Sequence, residues 1–108
     1  MLFRSLRVDD GNRARIGVSI GSGIGGIETL QEAHRLLFSG GPRRISPFAI
    51  PMALCNMPAG YVAIRQGAQG PNLCHVAACT SGAHALGEAA RVIERGDADA
   101  MQIGRAHV

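Results

Sequence analysis

Leu73-Cys74-His75-Val76-Ala77-Ala78-Cys79-Thr80-Ser81-Gly82 is the stretch that decides the fold. Its first six residues, His75 apart, are apolar or small and follow turn signals at Gly67, Gly70 and Pro71, so they read as an interior strand. Beyond Gly82 the residues Ala83, Leu86, Ala90 and Ile93 fall at helical spacing, and Gly96 stops the run. A strand that passes through Cys-Thr-Ser-Gly straight into a helix is an α/β junction.

Upstream, Arg15-Ile16-Gly17-Val18-Ser19-Ile20 alternates loosely, as a buried strand does, and runs into Gly21-Ser22-Gly23-Ile24-Gly25-Gly26. From Ile27 to Phe38 the residues Ile27, Leu30, Ala33 and Leu37 predict a helix, with Glu28 and Glu32 in its early turns where the macrodipole favours them. Gly40, Gly41 and Pro42 end it, and Arg43 to Pro47 read as an ordered loop. Met52 to Ile64 predicts a second helix of small residues, although Pro58 and Gly60 disfavour a helix interior. The order strand, helix, helix, strand, helix predicts a mixed α/β architecture without internal repeats.

At 108 residues there is room for one core. Hydrophobic residues make up 46% and aromatics 4%, with 15 Gly and no Trp, which excludes a disordered tail and favours small-residue packing. The net charge is +3, and all 11 basic residues are Arg, scattered from Arg4 to Arg105. GC-rich coding explains that bias more simply than nucleic-acid binding, which would gather a basic stripe interleaved with aromatics. Cys55, Cys74 and Cys79 form no C-x-x-C pair and are odd in number, which argues against a disulfide framework or zinc ribbon. The expectation is a reducing cytoplasmic setting, with no metal and no bound cofactor. The N-terminal residues reach Arg4 without the apolar run of a secretory signal, and no stretch has membrane-spanning length, so a soluble chain is expected. Residues 102–108 resemble a translated sequencing-library adaptor and are set aside from the fold, so the natural chain is expected to continue past Met101.

Two constellations could carry chemistry. Gly21, Gly23 and Gly26 spell G-x-G-x-x-G between a strand and a helix, where backbone N–H groups can cradle a pyrophosphate, with Arg43 and Arg44 for a 2′-phosphate. An NADP-binding module is therefore one reading. Gly40-Gly41-Pro42, however, is a turn where the ribose contact belongs, and close strand–helix packing explains the same glycines. The second constellation is Cys79, at the strand–helix junction. A sulfur there lies near unpaired N–H groups and the positive end of the helix dipole, which favour thiolate, and its small neighbours leave space above it. The geometry is that of a nucleophile elbow. Cys55 and Cys74 read as small buried hydrophobes, and His75 and His84 are poorly placed as bases for it.

Gly17 to Gly26, Gly40 to Phe48, Cys79-Thr80-Ser81-Gly82-Ala83-His84 and Gly96-Asp97-Ala98-Asp99, in that order, resemble the β-ketoacyl-acyl-carrier-protein synthases, and most of all synthase II of bacterial fatty-acid synthesis. The resemblance runs from Arg15 to Met101 and covers a minor part of a family chain. It implies a thiolase-like fold, here a partial N-terminal domain over residues 1–101, and a decarboxylative condensation performed by a homodimer. Cys79 is then the acyl acceptor and its backbone N–H an oxyanion donor. By the same resemblance Ile24 and Phe48 line the acyl pocket, and Arg43 and Arg44 meet the acidic face of the carrier protein. Ala49 departs from the pattern, since the resemblance leads one to expect a second aromatic after Phe48. The family's catalytic histidines and lysine lie in segments outside these residues, so the fragment alone is expected to be inactive and to aggregate. A polyketide ketosynthase domain would share this chemistry.

Overall fold

A computed structural model describes residues 6–106. Its centre is a three-stranded parallel sheet of β1 (Ile16–Ser22), β2 (Asn72–Val76) and β3 (Ala100–Ala106), in the order β2-β1-β3. The helices are α1 (Ile27–Gly40), α2 (Ala49–Ala53), α3 (Met57–Gln66) and α4 (Ser81–Glu94), with short 3-10 turns at Arg13–Arg15, Pro42–Arg44 and Ala78–Thr80.

β1 is buried along its whole length, and its two faces carry different side chains. Val18 and Ile20 point to α3, where they pack with Ala59 and, around it, Val62 and Ala63. The opposite face, Gly17, Ser19 and Gly21, is nearly flat and receives α4. Ser19 donates its hydroxyl hydrogen to the Ala85 carbonyl at 3.0 Å. A Cβ on Gly21 would lie 2.4 Å from the Ser81 carbonyl oxygen, so only glycine lets the start of α4 come this close. On the same side Ala89 and Val92 close over Ala98, Met101 and Leu73. Alternation on a central strand thus sets a branched-chain layer on one side and a small-residue layer on the other.

The predicted class, mixed α/β, is the one observed, and four particulars differ. Met52 to Ile64 is not one helix: the chain breaks at Leu54, and α3 starts afresh with Pro58 in its first turn, where the missing N–H costs nothing. β2 ends at Val76, and among the described residues it is an edge strand; β1 is the interior one. α4 buries Ser81, Ala85, Ala89 and Val92, not the predicted Ala83, Leu86, Ala90 and Ile93, because the flat face of β1 admits only small side chains. Residues 102–106 were set aside from the fold, yet they form most of β3, paired with β1 from Ile16–Ala100 to Ser22–Ala106; 107–108 lie outside the described residues.

α1 packs mainly on α2 and on the Pro42–Arg44 turn, and none of its residues is buried. Phe38, Phe48, Ile50, Met52 and Ile64 are all more than half exposed. Arg15 and Asp99 join the entries to β1 and β3 through an ion pair of 2.6 Å, and the Asp99 N–H donates to the Arg15 carbonyl. The Arg15 hydrogen bond holds the Asp99 carboxyl below its usual range.

Candidate active site

Cys79 sits in the 3-10 turn Ala78–Thr80, between the end of β2 and the first residue of α4, and it is exposed. The turn is tight enough to place Ala78 at φ 48°, the left-handed region, which costs a residue with a Cβ about 1 to 2 kcal/mol. Several bonds hold it there. The Ala78 N–H donates to the Gly23 carbonyl at 3.3 Å, and the Thr80 N–H to the Ala77 carbonyl at 3.0 Å. The Thr80 hydroxyl also donates to the Ala77 carbonyl, at 2.7 Å. Thr80 is the N-cap residue of α4, but its side chain does not cap, so the first N–H groups of the helix have no side-chain acceptor. Among the described residues the Cys79 N–H has no backbone acceptor either. Cys79 therefore stands at the positive end of α4, whose first N–H, that of Ser81, donates to the Ala78 carbonyl.

The bond from Ala78 to Gly23 brings the Cys79 turn against the loop that carries Ile24, which is 67% exposed. Phe48, at the N-cap of α2, is also exposed and lines a cavity of about 660 Å³ with Ser22, Gly25, Met52, Cys55 and Tyr61. Ile24 does not line that cavity. Ala49 is buried beside a second hollow of about 290 Å³ between α1 and α2. Arg43 and Arg44 lie in the exposed turn at the far end of α1, and neither forms an ion pair among the described residues. The 14 residues of α1 make about 20 Å of helix between them and the Gly26 end of the glycine loop.

The other cysteines are half-buried, not the buried hydrophobes the sequence predicts, and Cys55 borders the cavity. Cys74 donates its S–H to the Cys55 carbonyl at 2.9 Å, and burial, with Cys55 beside it, pushes its thiol up to about 11. His75 lies on β2 opposite Gly21 with its Nε2 buried and unpartnered, and His84 is exposed on α4. The glycines of the G-x-G-x-x-G pattern are used for packing: Gly21 faces Ser81, a Cβ on Gly26 would lie 2.3 Å from the Met52 carbonyl oxygen, and Gly23 alone is open. Two of the three are thereby filled by the chain's own backbone. Among the described residues no three His, Cys, Asp or Glu side chains gather as a metal site, and no helix is long and apolar enough to cross a membrane.

Sequence reasoning passed over Ser81, a fully buried hydroxyl two residues after Cys79, and the lining residues Met52 and Tyr61. A lone serine in a run of small residues signals little by itself. Its meaning comes from β1, which is distant in sequence.

A parallel sheet between helices, with a cysteine turn leading from a strand into a helix, is the architecture of the thiolase-like fold class. The family model described as "Beta-ketoacyl synthase, N-terminal domain" matches residues 3–107. The chain belongs to that family. It is 52% identical over 101 residues to the 3-oxoacyl-acyl-carrier-protein synthase 2 of Vibrio cholerae, covering 94% of this chain and 24% of that protein. The enzyme of the same name from Staphylococcus aureus is 52% identical over 99 residues, covering 92% and 24%. Among solved structures, the ishigamide ketosynthase/chain length factor superposes with a TM-score of 0.84 at 28% identity, covering 95% of this chain and 28% of that one. A type II polyketide ketosynthase in complex with its acyl-carrier protein has the same fold, with a TM-score of 0.80 at 22% identity over 94% of this chain and 29% of its own. The chain thus spans about a quarter of the length of the curated relatives it matches.

Proposed function

We propose that this segment supplies the acyl-accepting part of a β-ketoacyl-acyl-carrier-protein synthase that elongates fatty acids. One observation carries the reading: Cys79 is exposed on a strained turn at an uncapped helix start, with its own N–H unengaged. The thiolate attacks the carbonyl carbon of an acyl thioester on the carrier protein. Negative charge collects on the carbonyl oxygen, where the Cys79 N–H is one donor. The new S–C bond forms at Cys79, the bond to the carrier's thiol breaks, and that thiol leaves with a proton. Malonyl-carrier protein then loses carbon dioxide, its carbanion attacks the Cys79 thioester, and the Cys79 thiolate is released. The histidines and lysine for decarboxylation come from other segments of the full-length protein.

In this reading Ile24 and Phe48 border the acyl chain, and Arg43 and Arg44, exposed and without an ion pair among the described residues, attract the acidic carrier protein in a salt-sensitive contact. The full-length protein works as a cytoplasmic homodimer without metal or bound cofactor. Residues 102–108 are read as adaptor-derived, although the family match reaches residue 107. A polyketide ketosynthase is the second reading, favoured by the likeness to such enzymes in fold. The test has two parts: sequence the gene past the codon for Met101, then incubate the full-length protein with acyl-carrier protein and locate the thioester by mass spectrometry. A thioester at Cys79, lost in Cys79→Ala, supports the proposal. Labelling at Cys55 or Cys74 overturns it. A 3-oxoacyl product elongated by one two-carbon unit, with no further condensation to a poly-β-keto chain, separates it from the polyketide reading.

A further inference from the structure

We infer that Ser81 is the positioning residue of the Cys79 turn, a role that rests on Cys79 being the acyl acceptor. Its side chain is fully buried. Its Oγ accepts the Ala77 N–H at 2.8 Å, and its single hydrogen is shared between the Ser22 carbonyl at 2.7 Å and the Ala78 carbonyl at 2.8 Å. One atom thus ties together the two residues before Cys79 and the end of the central strand. Residues 77 and 81 bracket the turn that carries the sulfur, so joining them closes that turn as a ring.

The ring has a specific consequence for the peptide between Ala78 and Cys79. Ala78 keeps its left-handed φ of 48° only while its surroundings enforce it. The Ser81 hydroxyl and the Ser81 N–H both hold the carbonyl of this same peptide, and the Cys79 N–H is its other end. Loss of the hydroxyl frees the Ala77 N–H and removes one of the two bonds on the Ala78 carbonyl, so Ala78 relaxes and the peptide plane turns, moving the N–H and the sulfur together. Thr80 cannot substitute, because its hydroxyl already donates to the Ala77 carbonyl. No water can replace the Ser81 hydroxyl without displacing α4, which presses on Gly21 at this residue. The groups Ser81 controls are those that meet the tetrahedral intermediate. It touches neither the cavity lined by Phe48 nor the Arg43–Arg44 turn. Loss of Ser81 therefore lowers the rate of acyl transfer and leaves carrier-protein binding in place.

The experiment follows acylation of the full-length protein by acyl-carrier protein, at varied carrier concentration, using intact mass. Ser81→Ala is expected to lower the maximal rate about 10- to 100-fold, with half-saturation within about twofold, and Ser81→Thr, which restores the hydroxyl, to recover most of it. Ser81→Ala acylating at the wild-type maximal rate, or changing only half-saturation, overturns the inference. If Ser81→Ala fails to fold by calorimetry, hydrogen exchange of the wild type decides: slow exchange at the Ala77 amide supports the pin, and exchange at the rate of an open loop refutes it. The two readings fail differently. A wild type that carries no thioester at Cys79 refutes the acyl-acceptor reading and Ser81's role with it, whereas a labelled wild type and an equally fast Ser81→Ala refute the role of Ser81 alone.

Discussion

Enlarging Gly21 by one methyl group should cost both stability and acylation, while the same change at Gly23 should cost neither. A Cβ on Gly21 would stand 2.4 Å from the Ser81 carbonyl oxygen and 2.5 Å from its carbonyl carbon, both backbone atoms that cannot rotate away. Restoring ordinary contact requires α4 to back off β1 by about 1 Å, in a layer packed to crystal density. Overpacking of this kind costs about 1 to 3 kcal/mol, and the reduced freedom of the unfolded alanine chain returns about 0.4 to 1 kcal/mol. The net expectation is a loss of about 1.3 kcal/mol, a fall of about 1.5 °C in the melting temperature of a full-length protein about four times as long as this chain. Ser81 moves with the helix, so the Cys79 turn shifts too, and a displacement of about 1 Å at a reacting group lowers acylation about 100-fold. Gly23 has nothing within 4 Å of its would-be Cβ and does not need a positive φ, so Gly23→Ala should stay within about 0.5 kcal/mol. Scanning calorimetry and acylation by intact mass read both quantities. If Gly21→Ala melts and acylates like the wild type, or Gly23→Ala is the more damaging, the close approach of α4 to β1 is not what the glycines serve. Damage confined to Gly23→Ala, joined to saturable nucleotide binding, would return the loop to its phosphate-cradle reading.

The cysteines should separate by reactivity. With its thiol raised to about 11, Cys74 is only about one-thousandth thiolate at pH 8, so iodoacetamide should modify the exposed Cys79 first and reach Cys74 only as the pH approaches 11, as peptide mapping would show. Equal labelling of the two at pH 8 would contradict this. Asp99 titrates lower in the folded chain than its ordinary 3.8 because Arg15 hydrogen-bonds it, so the pair stabilises the fold above that value and the contribution is lost as pH falls through the depressed one. Asp99→Asn in the full-length protein should therefore flatten the acid limb of its melting temperature below about pH 4 and lower the plateau slightly, as befits an exposed pair. The 108-residue chain expressed alone should bind a hydrophobic dye and aggregate, given Phe38 at 85% and Ile64 at 81% exposure; a soluble monomer with a cooperative melt would refute that expectation.

What the sequence disclosed, it disclosed through local signals. The strand–glycine–helix rhythm from Ile16 to Gly40 and the passage from β2 through Cys79 to α4 are contiguous in the chain, and their residue types alone mark an α/β junction with a reactive thiol. What stayed hidden depends on partners distant in sequence. Spacing finds α4 but cannot choose its buried face: Leu86 and Ile93 are the larger apolar residues, yet β1 presents Gly17, Ser19 and Gly21, and only Ala85 and Ala89 fit against so flat a surface. β3 was missed because residues 102–108 were set aside as adaptor-like, whereas the strand takes its place from the parallel ladder with β1. Ser81 joins the two failures. Its residue type is unremarked beside Cys79, and its function exists only because β1 delivers the Ser22 carbonyl to the start of a helix 59 residues later. A nucleophile can thus be legible in its own neighbourhood while the group that aims it is legible only in the fold.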